Sequence, residues 1–316
     1  MLWKKPSCFY NIKMGKWARN EFGYEELGEV AIIVAGTINP EIEKKVLKFF
    51  EGVVSENDAV YHEYLMRKNK ESYPIVFNVY GASAMLDLIA ILHDGGCRNI
   101  IFVGSAYGGF KNLKVGEIVI PHKSYHFEGV YKHINPERES AFADEDLKNT
   151  IERLFKKNYI EFTHGVNISV PSVTFQLRHD NEEYKKIGPS TIEMELSSCL
   201  SRARDLGMRA AGVLVISDNK SSSIGDVEKK KARNESKLRV LRTIIDNISL
   251  FKLPRLKVEK EFSIDEHLAS IIQSPGDKTN VYKDNKEKEL KEESKEKTGD
   301  TKTETLAKES SGVEFY

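Results

Sequence analysis

The stretch NIIFVGSAYGGFKNLKVGEIVIP, residues 99–121, decides how the rest of the chain is read. Ile100, Ile101, Phe102 and Val103 form an unbroken apolar run, the pattern of a strand covered on both faces. Small residues follow at once: Gly104, Ser105 and Ala106, then Tyr107, Gly108 and Gly109. In open α/β sheets ligands bind beyond the carboxyl ends of strands, so this is where a site is sought. The spacing is not GxGxxG, which speaks against dinucleotide binding. A second strand-like run, EIVI, follows at residues 117–120.

Working outward, further strand-like runs occur at residues 30–35 (VAIIVA), 75–80 (IVFNVY), 166–170 (VNISV) and 211–216 (AGVLVI). Helical periodicity alternates with them at residues 40–50, 83–93, 147–155, 194–206 and 227–250. Strands alternating with helices predict an α/β fold, a three-layer α/β/α arrangement with a mixed central sheet. The residues after these strands are chemically suggestive. Gly36, Thr37 and Glu41 follow the first; Ser172, Thr174 and Phe175 follow VNISV; Ser217 and Asp218 follow AGVLVI. Ile192-Glu193-Met194-Glu195 is expected to open a helix.

Four blocks in this order resemble the nucleoside phosphorylase superfamily of purine nucleoside phosphorylases, uridine phosphorylases and methylthioadenosine/S-adenosylhomocysteine nucleosidases. They are the strand ending at Gly36, residues 99–121, STIEMEL (190–196) and VLVISD (213–218). The resemblance implies that Asp218 protonates the leaving base at its imidazole nitrogen. It implies that Glu195 accepts from the ribose hydroxyls, that Met194 packs under the sugar and that Phe175 stacks on the base. Gly36 and Ser105 would line the pocket for the attacking group. The chemistry suits these residue types, because breaking a ribose–base bond builds oxocarbenium character on the sugar and negative charge on the base. An acid at the base and a carboxylate at the ribose answer those two charges.

The chain also departs from that pattern. Phosphorylases of the superfamily carry one arginine in the strand before the GS pair and another four residues after the first glycine. Phe102 and Pro40 stand there. Phosphate recognition favours guanidinium donors, so hydrolysis is placed ahead of phosphorolysis, with Glu41 matching the water-activating glutamate of the nucleosidase branch. A phosphate site would need a cation from elsewhere, such as Lys220 or Arg233. A conventional phosphorylase and a non-catalytic nucleoside-binding relative are the alternatives. Each residue also has a plain structural reading. Asp218 suits a turn, Glu193, Glu195 and Glu41 suit the first turn of a helix, and Met194, Phe175 and Ser105 suit core packing.

Composition bounds the rest. Lys+Arg and Asp+Glu are both 48, so the net charge is zero and binding to nucleic acid through bulk charge is not expected. Cys8, Cys97 and Cys199 are far apart and form neither a disulfide framework nor a zinc site. His122, His126 and His133 lack ligand spacing and are read as a surface loop beside the pocket, so no metal is expected. No other cofactor is called for, phosphate being a candidate co-substrate. No apolar run approaches the roughly 20 residues that span a bilayer. The expectation is a cytoplasmic homo-oligomer that takes a small nucleoside, without membrane or nucleic-acid partners.

Residues 1–274 are read as one catalytic domain and 275–316 as a charged, low-complexity, disordered tail. The tail holds 20 Asp, Glu or Lys residues and eight apolar ones, too few to offset the entropy of ordering it. Truncation after Ser274 is therefore expected to leave both the melting temperature and turnover unchanged. A fall of several degrees in a thermal melt would show that the tail docks.

Overall fold

The computed structural model describes residues 16–256 except 37, 59–60, 173–177 and 222–225. The chain divides into two units, Met1–Asp265 and Glu266–Tyr316, and all described residues belong to the first. Phe175 and the 275–316 tail lie outside the described residues.

Strand β1 (Val30–Ala35) is the VAIIVA run, and all six of its side chains are buried. On one side it pairs in parallel with β5 (Asn99–Tyr107), on the other with β4 (Glu71–Val79). Beyond β4 the sheet continues antiparallel through β3 (His62–Lys68) to β2 (Gly52–Asn57). On its other edge β5 pairs in parallel with β10 (Arg209–Asp218). From β10 the pairing runs through β6 (Ile118–His126) and β8 (Thr163–Ser169) to the short β9 (Thr191–Glu193). Strand β9 then pairs back onto β5 at Tyr107, closing a ring of five strands. Strand β7 (Ser140–Phe142) hangs from β6.

Helices cover both faces. Helices α1 (Lys16–Phe22), α3 (Ala82–Asp94) and α7 (Leu196–Asp205) share one apolar core with Ile100, Phe102 and Ala106 of β5. Helices α2 (Pro40–Leu47), α5 (Glu145–Lys157) and α8 (Val227–Asp246) share the other with Ile101 and Val103. The strict alternation along β5 is the two-residue period of a strand covered on both faces. On α8, Val240, Leu241, Ile244 and Ile245 are buried, each contributing about 1.5–3 kcal/mol relative to exposure. Local signals start these helices. Asn39, Asp144 and Asp226 each accept a backbone N–H at the N-cap of α2, α5 and α8, and Pro40 occupies the first turn of α2. Two short helices, α4 (Val130–Ile134) and α6 (Arg178–Ile187), complete the set. No helix among the described residues is long and apolar enough to cross a membrane.

Several boundaries differ from the sequence reading. The helix expected from residue 194 starts at Leu196, because residues 191–193 are held as a strand between β8 and β5. The strand expected over 117–120 runs on to His126, since β7 and β8 pair with its far end. The histidine-bearing segment is therefore not a surface loop. His126 is fully buried, sharing a hydrogen bond with Glu128 through Nδ1 (3.0 Å) and with Ser201 through Nε2 (2.8 Å). Helix α2 ends at Leu47 and α8 at Asp246, a 3₁₀ turn (Ile248–Phe251) replacing the last turn expected of α8.

Gly28, just before β1, has φ +100°, and a Cβ there would lie 2.2 Å from the Ser72 carbonyl oxygen. A backbone oxygen cannot step aside as a flexible side chain can. Gly28→Ala is expected to cost about 2 kcal/mol or more in urea unfolding, from left-handed backbone strain and the clash together.

Candidate functional site

The carboxyl ends of β1, β4, β5 and β10 lie side by side, and the residues singled out in the sequence gather there. Gly36 follows β1 with φ +74°, and its N–H donates to the Val79 carbonyl at the end of β4 (2.8 Å). A Cβ at Gly36 would meet nothing within 4 Å, so the backbone faces open space. Asn78 shapes this corner. It sits at φ +59°, a conformation Asn tolerates, and its Oδ1 accepts the Ile38 N–H (3.0 Å), which pins the loop after Gly36.

Three residues beyond Asn78, the Gly81 N–H donates to Glu195 Oε1 at 2.7 Å. Glu195 is 4 % exposed and is held from below by its neighbour Glu193. The Glu193 carboxylate accepts from Ser169 Oγ (2.5 Å), Asn167 Nδ2 (2.7 Å) and the backbone N–H groups of Glu195 and Leu196 (both 2.7 Å). Burial pushes both carboxyls up. Four donors to Glu193 draw the negative charge to that residue, whereas burial and then the Glu193 charge push Glu195 up to about 8. Glu193 thus caps α7 and positions Glu195, and the helix-capping role read for one of these acids falls to Glu193.

Asp218 closes β10. Its Oδ1 accepts from Ser217 Oγ (2.5 Å), and its backbone carbonyl accepts from Gly108 N–H (3.0 Å). It stands opposite Tyr107 in the β5–β10 register. The Tyr107 phenol is raised by burial and then by the Asp218 charge. Met194 is buried in a small apolar cluster with Ile168, Val170, Tyr184 and Ile192, against which Tyr107 and Phe127 pack. An apolar wall therefore adjoins the two carboxylates.

Ser105, half-buried on β5, accepts a hydrogen bond from Lys237 Nζ at 2.8 Å. Lys237 lies on α8 and is 6 % exposed. Burial first and the Arg233 charge second lower its pKa to about 8, with the Glu195 charge opposing both. Sequence reasoning did not find Lys237. Its signal is a break in a stripe, because it falls in phase with Val240, Leu241 and Ile244, where an apolar residue is expected. Lys220 is exposed. Phe102 is fully buried in the core facing α3 and α7, on the opposite face of β5 from Ser105.

Glu41 does not join this group. It is exposed on the first turn of α2, facing a groove of about 370 Å³ between α2 and α8 that Lys45, Asn234 and Leu238 also line. The buried acid of α2 is Glu43, which pairs with His62 Nδ1 (3.0 Å) and accepts from the Tyr64 hydroxyl (2.9 Å). The reason is helical phase, since Glu43 shares the inward face with Ile42 and Val46.

The sequence profile of the phosphorylase superfamily matches residues 80–246, slightly more than half of the chain. The chain belongs to the phosphorylase superfamily. As a member of the phosphorylase superfamily it is an enzyme. Solved structures of similar fold include the 5′-methylthioadenosine/S-adenosyl homocysteine nucleosidase of Campylobacter jejuni, at 13 % identity and TM-score 0.59 over 69 % of this chain and 97 % of that one. A purine nucleoside phosphorylase of Toxoplasma gondii aligns at 19 % identity and TM-score 0.61 over 71 % and 92 %. A uridine phosphorylase of Vibrio fischeri aligns at 20 % identity and TM-score 0.60 over 69 % and 90 %. No curated protein matches the chain in sequence.

Glu193→Gln would set an amide NH₂ group against donors that now meet a carboxylate. The expected cost is about 2–3 kcal/mol in chemical denaturation, the penalty of leaving buried donors unsatisfied.

Proposed function

We propose that the protein cleaves the N-glycosidic bond of a ribonucleoside, with a purine as the preferred base. The observation that carries this reading is a pair of acids, one at the N-cap of α7 and one at the end of β10. Glu195 is buried beside the Gly81 amide, and Asp218 sits at the mouth of β10 with Ser217 donating to it. Glu195 would hold the ribose hydroxyls while positive character builds on the sugar. Asp218 would give a proton to the departing base. A purine offers an imidazole nitrogen to receive that proton and a pyrimidine does not, which is the basis of the stated preference. Met194 and Tyr107 supply apolar surface for sugar and base. A homo-oligomer in the cytoplasm belongs to the same proposal. So does a base-stacking role for Phe175.

The acceptor has two readings. Water is favoured by Phe102, which points into the core, and by Pro40, the first residue of α2, since neither offers a donor. An anionic acceptor is favoured by one observation, the lysine on Ser105.

Asp218→Asn is expected to lower turnover by a factor of about 10² while leaving the thermal melt unchanged. Free base is measured with adenosine, inosine and methylthioadenosine, and near-normal turnover would remove Asp218 from the mechanism. Glu195→Ala is expected to slow ribonucleosides about tenfold more than their 2′-deoxy analogues, the worth of one hydrogen bond to a charged group. Equal losses on the two substrates would speak against a 2′-hydroxyl contact.

A further inference from the structure

We propose that the Tyr107 hydroxyl is a second hydrogen-bond donor to the leaving base, and that it selects 6-oxopurine over 6-aminopurine nucleosides. The inference rests on the ribonucleoside reading above and deepens it by naming the edge of the base that is read. Tyr107 is the last residue of β5 and is paired on both sides. Its register partner on β10 is Asp218, and its register partner on β9 is Ile192. From Ile192 the chain runs through Glu193 and Met194 to Glu195. Tyr107 therefore stands between the acid assigned to the base and the segment that carries the acid assigned to the ribose.

An irregularity in the sheet creates this arrangement. Ile216 pairs with Ala106, but the next residue of β5, Tyr107, pairs with Asp218 and not with Ser217. The bulge passes over Ser217 and brings Asp218 opposite Tyr107, the kind of re-aiming that bulges perform beside functional sites. The phenol is also fixed in place. Its ring packs against the apolar cluster that holds Ile192 and Met194, and its far end lies over Gly109, where a Cβ would collide with the phenol oxygen. The neighbouring Gly108 N–H donates to the Asp218 carbonyl (3.0 Å), so one glycine turn seats both groups. The side chain is half-buried, and among the described residues nothing hydrogen-bonds its hydroxyl. Burial first and the Asp218 charge second keep the phenol protonated. A hydroxyl held still beside a functional acid, with its proton unspent, is a donor for a ligand atom.

The chemistry of the base decides which ligand atom. A purine carries its imidazole nitrogen and the substituent on C6 along one edge. A 6-oxopurine presents two acceptors there, whereas adenine presents one acceptor and one amino donor. Asp218 giving its proton to the ring nitrogen and Tyr107 donating to the C6 oxygen match the first pattern. As the C1′–N bond breaks, its electron pair moves onto the base, and in a 6-oxopurine part of that charge settles on the C6 oxygen. The hydrogen bond from Tyr107 therefore strengthens towards the transition state, which raises turnover and not affinity alone. The amino group of adenine gains no such acceptor charge. The phenol keeps its proton throughout, and the proton that the base gains comes from Asp218.

The test uses the full chain and compares wild type with Tyr107→Phe, which keeps the packed ring and removes only the hydroxyl. Base release from inosine and adenosine is followed with and without phosphate, so that the acceptor does not decide the outcome. Calorimetry with hypoxanthine and adenine measures base binding separately. Wild type is expected to turn over inosine at least tenfold faster than adenosine. Tyr107→Phe is expected to lower kcat on inosine about tenfold more than on adenosine, the worth of a hydrogen bond to an atom gaining charge, with the thermal melt unchanged. It is also expected to erase a preference for hypoxanthine over adenine. Equal losses on the two nucleosides would assign Tyr107 to packing and overturn the proposal, as would a wild type with no preference for inosine. Either result, with base still released, would leave the ribonucleoside reading standing. A hypoxanthine preference that depends on the hydroxyl, with no base released from either nucleoside, would instead overturn the ribonucleoside reading and leave the base contact standing.

Discussion

The buried carboxylate of Glu193 holds the functional end of this molecule together. It takes hydrogen bonds from β8, through Asn167 and Ser169, and from the first backbone amides of α7. Taking a carboxylate out of water costs several kcal/mol, and only a full set of donors offsets that. The four donors come from two separate segments of chain, so the charge is satisfied only when β8, β9 and α7 have met. That meeting sets the backbone of Glu195 and turns its side chain to the Gly81 amide at the far strand end. A helix cap and a sheet junction are therefore one event, and the site forms when the fold does.

Much of this was legible in the sequence, and the physical reason is coverage. Strand β1 and residues 100–103 of β5 are buried on both faces, so these runs are apolar without interruption and stand out. The acids at 195 and 218 were legible because strand ends and short polar motifs lie next to each other in sequence. What escaped detection are charges whose partners are distant. The hairpin β2–β3 was missed because β3 carries His62, Glu63 and Tyr64, which look like a polar loop. In the fold Glu63 is buried, takes a hydrogen bond from Asn57 and is pushed up to about 8 by burial and Glu21. His62 and Tyr64 engage Glu43.

Lys237 and Glu41 illustrate the same limit from opposite sides. Counting residues from Gly36 picks Glu41, but the rotation of α2 turns Glu43 inward and leaves Glu41 in water. No short motif picks Lys237, yet α8 carries it to Ser105, which lies 132 residues earlier in the chain. Linear spacing reports chemistry carried by one loop well. It reports poorly on chemistry assembled between a strand and a helix that are remote in sequence.

The closed pairing of β5, β10, β6, β8 and β9 also bears on how the protein behaves in a crowded solution. A strand at the margin of a sheet offers unpaired N–H and C=O groups that template aggregation with other chains. Ring closure removes that margin on one side, which leaves β2 as the terminal strand of the main pairing path. Strand β2 is six residues long, its register with β3 slips between Val53 and Ser55, and its Glu56 is exposed. A short, irregular, charged border is a poor template for a second copy. The topology that gathers the site at one end of the sheet thus also guards the molecule against edge-to-edge association.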